Sequence, residues 1–174
     1  MTLVLVVAGK RANIVAENRN TMNKEDALTL KAVILYILKN CSARVSRNVY
    51  YIVKAAFVAQ QKHLAKYLCP LYEDKIAALQ FGPVPSNIYD ALKIARGDSN
   101  AMCFHRNDEL HLVFDSISFC DEIFSASEDP DMNYLSPSAI ECINEALSEV
   151  SKMTFDQIVN ATHGDEWNRA YNNP

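Results

Sequence analysis

One segment of this sequence is apolar on nearly every face of a helix, and it constrains the fold more than any other feature. It follows Asn23, a plausible N-cap with Asp26 three residues on, and it contains the uninterrupted run Ala32–Leu38. A helix that is apolar all round has to be surrounded by other elements. The run is much shorter than the roughly 20 apolar residues of a membrane-spanning helix. The sequence therefore predicts a central helix in a protein that does not cross a membrane.

A second, amphipathic helix is predicted from Ser46, as its N-cap, to Tyr67, before Pro70. The residues on its predicted inner face recur at spacings of three and four: Val49, Ile52, Val53, Ala56, Phe57, Gln60 and Leu64. A short strand is predicted over residues 76–79. The sequence Phe81-Gly82-Pro83-Val84-Pro85 predicts a turn that no helix can cross, and Ser86 is predicted to cap a third helix that stops near Gly97.

Apolar and polar residues then alternate over 102–114, around the polar turn 106–109, and predict a β-hairpin. Residues 115–135 are acidic and are predicted to be irregular. Ser136-Pro137 opens another helix, in which Ser138 and Glu141 have capping-box spacing, and Thr154 with Gln157 predicts a further capping box. A last helical turn carries Trp167 and Tyr171.

The predicted fold class is mainly α (α+β): a compact helical domain of about five to six helices with a small antiparallel β-hairpin or sheet. The 174 residues suit one domain, with 49% hydrophobic and 22% charged residues as in an ordinary globular protein. We expect residues 1–21 to be an N-terminal appendage, with Met22 as an alternative natural start, and residues 22–174 to be a single domain. No positive charge precedes the apolar residues 3–8, so we do not expect a secretory signal.

Charge is segregated along the chain although the net charge is only −4. Residues 27–72 contain seven Lys and Arg and no acidic residue, whereas residues 107–151 contain eleven Asp and Glu and no basic residue. Such segregation either creates a field that steers a partner or is neutralised when the two segments lie against each other. The basic residues are spaced out in an acidic protein, which counts against a nucleic-acid partner.

The sequence contains no motif typical of an enzyme or a cofactor site. Neither phosphate-binding glycine motif occurs, and the histidines are too scattered for a metal template, so we expect no cofactor and no metal. The five cysteines form no C-x-x-C pair and no evident disulfide framework, which fits a reducing cytoplasm. Those cysteines are Cys41, Cys69, Cys103, Cys120 and Cys142.

The segment 162–167, Thr-His-Gly-Asp-Glu-Trp, is the most reactive-looking cluster. His163 beside Asp165 or Glu166 is a conceivable general base of a hydrolase. The structural interpretation is stronger, because Gly164 suits a helix C-cap, His163 suits the end of a helix and Trp167 is an apolar anchor. We predict no catalytic residue.

Several of these motifs, in this order and at this spacing, resemble the Panacea domain family, the SocA-like antitoxins of bacterial and prophage toxin–antitoxin systems. The resemblance covers about residues 27–171. A family run Lys-Leu-Gln-Lys-Leu-Leu-Tyr-Phe corresponds to Tyr51–Val58, in which Lys54 is kept, and Ala77 and Leu79 replace the usual acidic and Trp residues. The matching residues, expected to be structural, are Phe57, Gln60, Pro70, Gly82, Pro83, Val84, Pro85, Tyr89, Thr162, His163 and Trp167.

The resemblance implies a non-enzymatic antitoxin that neutralises a cognate toxin encoded by an adjacent gene. It leaves open whether binding alone is sufficient or a protease takes part as a further partner, and the sequence leaves the oligomeric state open. We expect the toxin to contact Tyr50, Tyr51, Lys54 and Phe81, with the aromatic rings as anchors. The alternative is a winged-helix-like nucleic-acid-binding regulator, with the predicted 102–114 hairpin as the wing and the acid-free basic segment as the binding surface.

Overall fold

The computed structural model describes residues 5–7, 22–42, 47–104 and 109–172. In these ranges the helices are α1 (Lys24–Asn40), α2 (Val49–Tyr67), α3 (Ser86–Ala95), α4 (Ser99–Phe104), α5 (His111–Phe114), α6 (Pro137–Val150), α7 (Phe155–Thr162) and α8 (Asp165–Asn172), with a 3-10 turn at Met132–Tyr134. The strands are β1 (Leu5–Val7), β2 (Ile76–Leu79), β3 (Gly82–Pro85), β4 (Ile117–Cys120) and β5 (Ile123–Ala126). The predicted class, mainly helical with small sheets, is confirmed.

Helix α1 is the centre of the core, as its composition predicts. Its buried residues lie on all sides of the helix, and the Asn23 side chain caps it by accepting a 2.9 Å hydrogen bond from the Asp26 N–H. Helices α2 and α6, strand β5 and the short helix α5 pack around it. Its buried residues are Ala27, Leu30, Ala32, Val33, Ile34, Leu35, Ile37 and Leu38.

Three predicted helix caps are wrong. Helix α2 is capped by Asn48, whose side chain accepts from the Tyr51 N–H at 3.1 Å, whereas Ser46 lies outside the described residues. Ser86 is the first residue of α3 and caps nothing, because the Asp74 carboxylate reaches the N–H groups of Asn87 and Ile88 from the preceding loop. Ser136 rather than Ser138 caps α6. The predicted capping box of Thr154 and Gln157 is confirmed.

The predicted turn 81–85 is mostly strand. Residues 82–85 form β3, which pairs antiparallel with the predicted strand β2, and the turn is confined to Gln80 and Phe81. The Ser86 N–H donates to the Lys75 carbonyl at 2.8 Å. Because hydrogen-bonded pairs alternate along an antiparallel ladder, the N–H groups of β3 that bond to β2 are those of Val84 and Gly82. Pro83 and Pro85 occupy the positions that need no N–H, which is how an edge strand accommodates two prolines.

The first sheet has the order β1-β2-β3, and β1 runs parallel to β2 with Leu5 opposite Ile76. Residues 5–7, within the segment predicted to be an appendage, therefore form an edge strand of this sheet. The division into residues 1–21 and 22–174 stays a prediction.

The predicted hairpin over 102–114 is wrong, and so is the irregular structure predicted next to it. Residues 99–104 and 111–114 are helical, with Leu110 and Val113 buried three residues apart on one side of the chain. The hairpin lies instead at β4 and β5, where Phe119 faces Phe124. Its turn, Asp121-Glu122, has positive φ at both residues without the Asn-Gly signal that usually marks such turns.

The acidic segment lies against the basic one. Helices α2 and α6 pack side by side, and ion pairs join Lys62 to Glu149 at 2.8 Å and Lys66 to Glu141 at 2.7 Å. Lys31 pairs with Glu128 and Lys39 with Asp129. Of the two explanations for the charge segregation, internal neutralisation therefore accounts for these four cations.

In the described ranges, no helix is long and apolar enough to cross a membrane.

Candidate functional site

A buried cluster forms where α2 meets β3 and the end of α7. We call it the Lys54 cluster, and it consists of Lys54, Gly82, Pro83, Thr162 and His163. Helix α2 contributes Lys54, the edge strand contributes Gly82 and Pro83, and the last turn of α7 contributes Thr162 and His163. Residues that are more than a hundred positions apart in the sequence therefore meet in this cluster.

Lys54 is fully buried, which is rare for a lysine. Its ammonium donates a 3.0 Å hydrogen bond to the Pro83 carbonyl and a 3.4 Å hydrogen bond to Thr162 Oγ1. The described residues place no carboxylate beside it, and burial lowers the pKa of Lys54 from 10.5 to about 7. The site thus holds an amine whose charge changes near neutral pH.

Gly82 is essential to this geometry. Its φ of +103° is in the left-handed region, and a Cβ built there would overlap the Lys54 ammonium and lie 2.9 Å from Thr162 Oγ1. The missing side chain therefore provides the space that the ammonium occupies.

The segment after α7 closes the other side of the cluster. Thr162 Oγ1 donates to the Ile158 carbonyl at 2.8 Å, so it is free to accept from Lys54. The His163 ring stacks on Trp167, with 3.6 Å between ring centres, and Trp167 Nε1 donates to the Leu79 carbonyl at 3.0 Å. Burial and the Lys54 charge lower the pKa of His163, against a hydrogen bond with the Phe81 backbone, and its Nε2 is buried without a partner.

An aromatic surface lies above the cluster, and we call Tyr50, Tyr51, Phe81 and Phe155 the aromatic face. Phe81 and Phe155 are 51% and 41% exposed, and their ring centres are 5.4 Å apart. Phe155 packs on Tyr50 at 4.6 Å, and Tyr51 meets Tyr50 edge-on at 5.6 Å. The Lys54 nitrogen lies 5.7 Å from the centre of the Tyr50 ring, so Tyr50 links the exposed rings to the buried cation.

The family model described as antitoxin SocA-like, Panacea domain, matches residues 52–168, which run from α2 into α8. The chain belongs to this family. No curated protein and no solved structure matches it. Lys54 and the whole Lys54 cluster fall within the matched range, together with Phe81, Phe155 and Trp167.

The four residues predicted to contact a partner lie close together in this Panacea domain, but they occupy different depths. Tyr51 is partly exposed and Phe81 is exposed, Tyr50 is half-buried, and Lys54 lies beneath them without solvent contact. Phe155 was not among the residues predicted to contact a partner. No local pattern marks this residue, because it stands at the first position of a short helix and its ring partner belongs to α2.

The remaining family residues support the frame of the Panacea domain. Gln60 is buried, and its side chain accepts from the Leu71 N–H at 2.7 Å and donates to the Tyr72 carbonyl at 3.0 Å, which fixes the loop after α2. Phe57, Pro70 and Tyr89 are partly buried, and Val84 and Pro85 are buried.

The two other hypotheses lose the structural features on which they depended. The wing predicted at 102–114 is helical where it is described, and four lysines of the basic segment are engaged in ion pairs, so neither feature supports nucleic-acid binding. The His163 ring is stacked and its Nε2 is buried, which is a poor arrangement for a general base.

Proposed function

We propose that this Panacea-domain protein is an antitoxin that neutralises the toxin encoded by an adjacent gene through direct contact, in the cytoplasm and without catalysis of its own. Membership of an antitoxin-like family implies a toxin partner in general. The observation that carries direct contact is the aromatic face, because Phe81 and Phe155 remain largely exposed while packing against each other and Tyr50.

Exposed aromatic rings in contact with one another are a suitable anchor for a protein partner. Interfaces draw most of their binding energy from a few aromatic or arginine residues near the centre of the contact. Phe81 and Phe155 are already held by their neighbours, so a partner loses little conformational entropy by burying them.

The test is rescue by co-expression. The product of the adjacent gene is expressed alone and then with this protein, growth is scored, and the complex is recovered by size-exclusion chromatography. We expect growth arrest that co-expression relieves, together with co-elution. A neighbouring product that is harmless alone, or that remains toxic and elutes separately, would refute the proposal.

Variants then locate the interface. Phe81→Ala and Phe155→Ala are each expected to weaken the complex at least about tenfold, which corresponds to about 1.4 kcal/mol. Leu68→Ala is the matched control, because Leu68 is 85% exposed at the C-terminal end of α2, whereas Tyr50 and Tyr51 lie in the first turn of that helix. If toxin levels fall only when a cellular protease is active, delivery to that protease rather than binding alone achieves neutralisation.

A further inference from the structure

The Lys54 cluster contains polar groups whose hydrogen-bonding capacity is unused. A lysine ammonium has three donors, and within the described part of the chain Lys54 uses two of them, on the neutral acceptors Pro83 and Thr162. The Tyr50 hydroxyl is buried and has no hydrogen-bond partner among the described residues, and the same is true of Nε2 of His163. These groups are neighbours under the aromatic face: the Lys54 nitrogen lies 5.7 Å from the centre of the Tyr50 ring, and the His163 ring lies beside the same face of Gly82 as the ammonium.

This arrangement is unusual for a purely structural site. Buried cations in proteins are normally paired with an anion, and buried hydroxyl groups normally have partners, because leaving either without one costs stability. Lys31, Lys39, Lys62 and Lys66 of the same basic segment pair with carboxylates although they are partly exposed to solvent, whereas the buried Lys54 contacts neutral acceptors. An anion that accepts hydrogen bonds is the group that best complements the Lys54 ammonium.

We propose that the Lys54 cluster receives a carboxylate side chain of the protein partner, which pairs with the Lys54 ammonium and accepts a hydrogen bond from the Tyr50 hydroxyl. This inference rests on the proposed function, because it names the chemistry of the group that the partner inserts. Phe81 and Phe155 are the exposed rings above the site, with centres 5.4 Å apart, and the carboxylate reaches Lys54 only if these rings move apart.

The charge of Lys54 makes binding of the carboxylate weaker as the pH rises. A carboxylate prefers the charged ammonium, so the complex is strongest below the pKa of free Lys54, which is about 7, and weakens as the pH rises above it. The surrounding titratable groups are Tyr50 on α2, His163 at the end of α7, and Asp156 beyond Tyr50; β3 contributes only Gly82 and Pro83. Burial raises the pKa of Tyr50 to about 12, so this hydroxyl stays neutral between pH 6 and pH 8.5, and a comparison with His163→Gln tests whether His163 causes the pH dependence.

The experiment uses phenylacetate as a probe, with the neutral phenylacetamide as its control. The full chain carries ¹³C at the lysine Cε, and the Lys54 signal is followed by NMR while each compound is added. We expect phenylacetate to move this signal and to bind more than about tenfold tighter at pH 6 than at pH 8.5, whereas phenylacetamide does neither. A Lys54 signal that ignores phenylacetate, or that responds equally to phenylacetamide, overturns the inference.

Two variants separate recognition from folding. Tyr50→Phe removes a hydroxyl that has no partner in the free protein, so it is expected to leave the melting temperature unchanged or higher and yet to weaken phenylacetate binding. Lys54→Met is expected to abolish both the binding and its pH dependence. Lys66→Met is the control on the same helix, because Lys66 is already paired with Glu141 and Glu145. Unchanged binding by Tyr50→Phe and Lys54→Met overturns the inference.

The two proposals can fail separately. If the adjacent gene product is not neutralised, the proposed function fails, and the phenylacetate titration still decides whether the carboxylate site exists. If neutralisation occurs but the complex with Lys54→Met has the same affinity and the same pH dependence as the wild type, only the carboxylate inference fails.

Discussion

The ammonium of Lys54 lies 3.0 Å from the carbonyl oxygen of Pro83 on the outer side of β3. Because β3 is an edge strand with prolines at its outward-facing positions, this side chain satisfies a carbonyl that would otherwise be left open for another strand. The same contact ties α2 to the sheet. One lysine therefore protects a sheet edge, anchors a helix and places a cation beneath the aromatic face.

Gly82→Ala should be markedly destabilising. The substitution places a Cβ at φ +103° and against the Lys54 ammonium, Thr162 and His163, so we expect a loss of about 2–4 kcal/mol of unfolding free energy. Urea unfolding of the purified variant measures this loss. Gly97→Ala is the control, because Gly97 has a similar φ of +98° but open space around it, and about 1 kcal/mol is expected. Equal losses in the two variants would show that the contact with Lys54 is unimportant.

Lys54 should make the protein more stable as the pH rises from 7 to 9. The unfolded chain keeps this lysine protonated up to about pH 10.5, whereas the folded chain loses the proton near pH 7, so the unfolded state binds more protons in this interval. We expect about 2 kcal/mol over these two pH units. Thermal unfolding of the wild type and of Lys54→Met across this range provides the measurement, with the variant lacking this increase. Parallel curves would mean that Lys54 stays charged in the folded protein.

Gln60 and Gln61 are neighbours with opposite expected effects. Gln60→Ala removes the partners of the Leu71 N–H and the Tyr72 carbonyl in a buried loop, which should cost about 2–4 kcal/mol. Gln61→Leu removes a buried amide nitrogen that has no partner, so stability should be unchanged or higher. Chemical denaturation of both variants tests the pair. A neutral Gln60→Ala would contradict the role assigned to this family residue.

Asp74 should lower stability as the pH rises from 4 to 7. Burial raises the pKa of this carboxyl from 3.8 to about 7, so its contribution to stability is fully present below pH 4 and declines as the pH rises through 7. The Asp74 side chain is only half-buried, so solvent screens its charge and the expected change in unfolding free energy is about 1 kcal/mol. The wild type should therefore lose this amount relative to Asp74→Asn, as followed by thermal unfolding at both pH values. Asp74→Ala should cost about 1–2 kcal/mol because α3 loses its cap.

The main helices could be predicted from local sequence, but the contacts that build the site could not. The apolar run in α1, the spacing in α2 and the capping box at Thr154 each contain enough information to define a helix. By contrast, the cap of α3 comes from Asp74, and the partner of Phe155 is on α2, so both depend on packing between distant segments. The hairpin was misplaced because apolar alternation over 102–114 also fits short helices, whereas the Asp121-Glu122 turn lacks glycine.

The family resemblance also indicated residues of the Lys54 cluster that no local sequence pattern connects. Lys54 has no distinguishing pattern in its own segment, and only the resemblance to the family connected it with Gly82 and with Thr162-His163. The depth of Lys54 could not be predicted, because a lysine in an amphipathic helix is normally placed on the solvent side. Its burial depends on the absence of a side chain at Gly82, and this contact between α2 and β3 is not encoded in sequence spacing.

The separation of Lys54 and Thr162 along the chain has a consequence for biosynthesis. These two residues, which share a hydrogen bond, are 108 positions apart, and Phe155 is also added long after α2 has been made. A nascent chain that ends before α7 lacks Phe155 of the aromatic face and the Thr162 hydroxyl that accepts from Lys54. If the proposed function holds, a truncated chain that ends before Thr154 does not neutralise the toxin. Neutralisation then begins only when the segment beyond Thr154 has been translated.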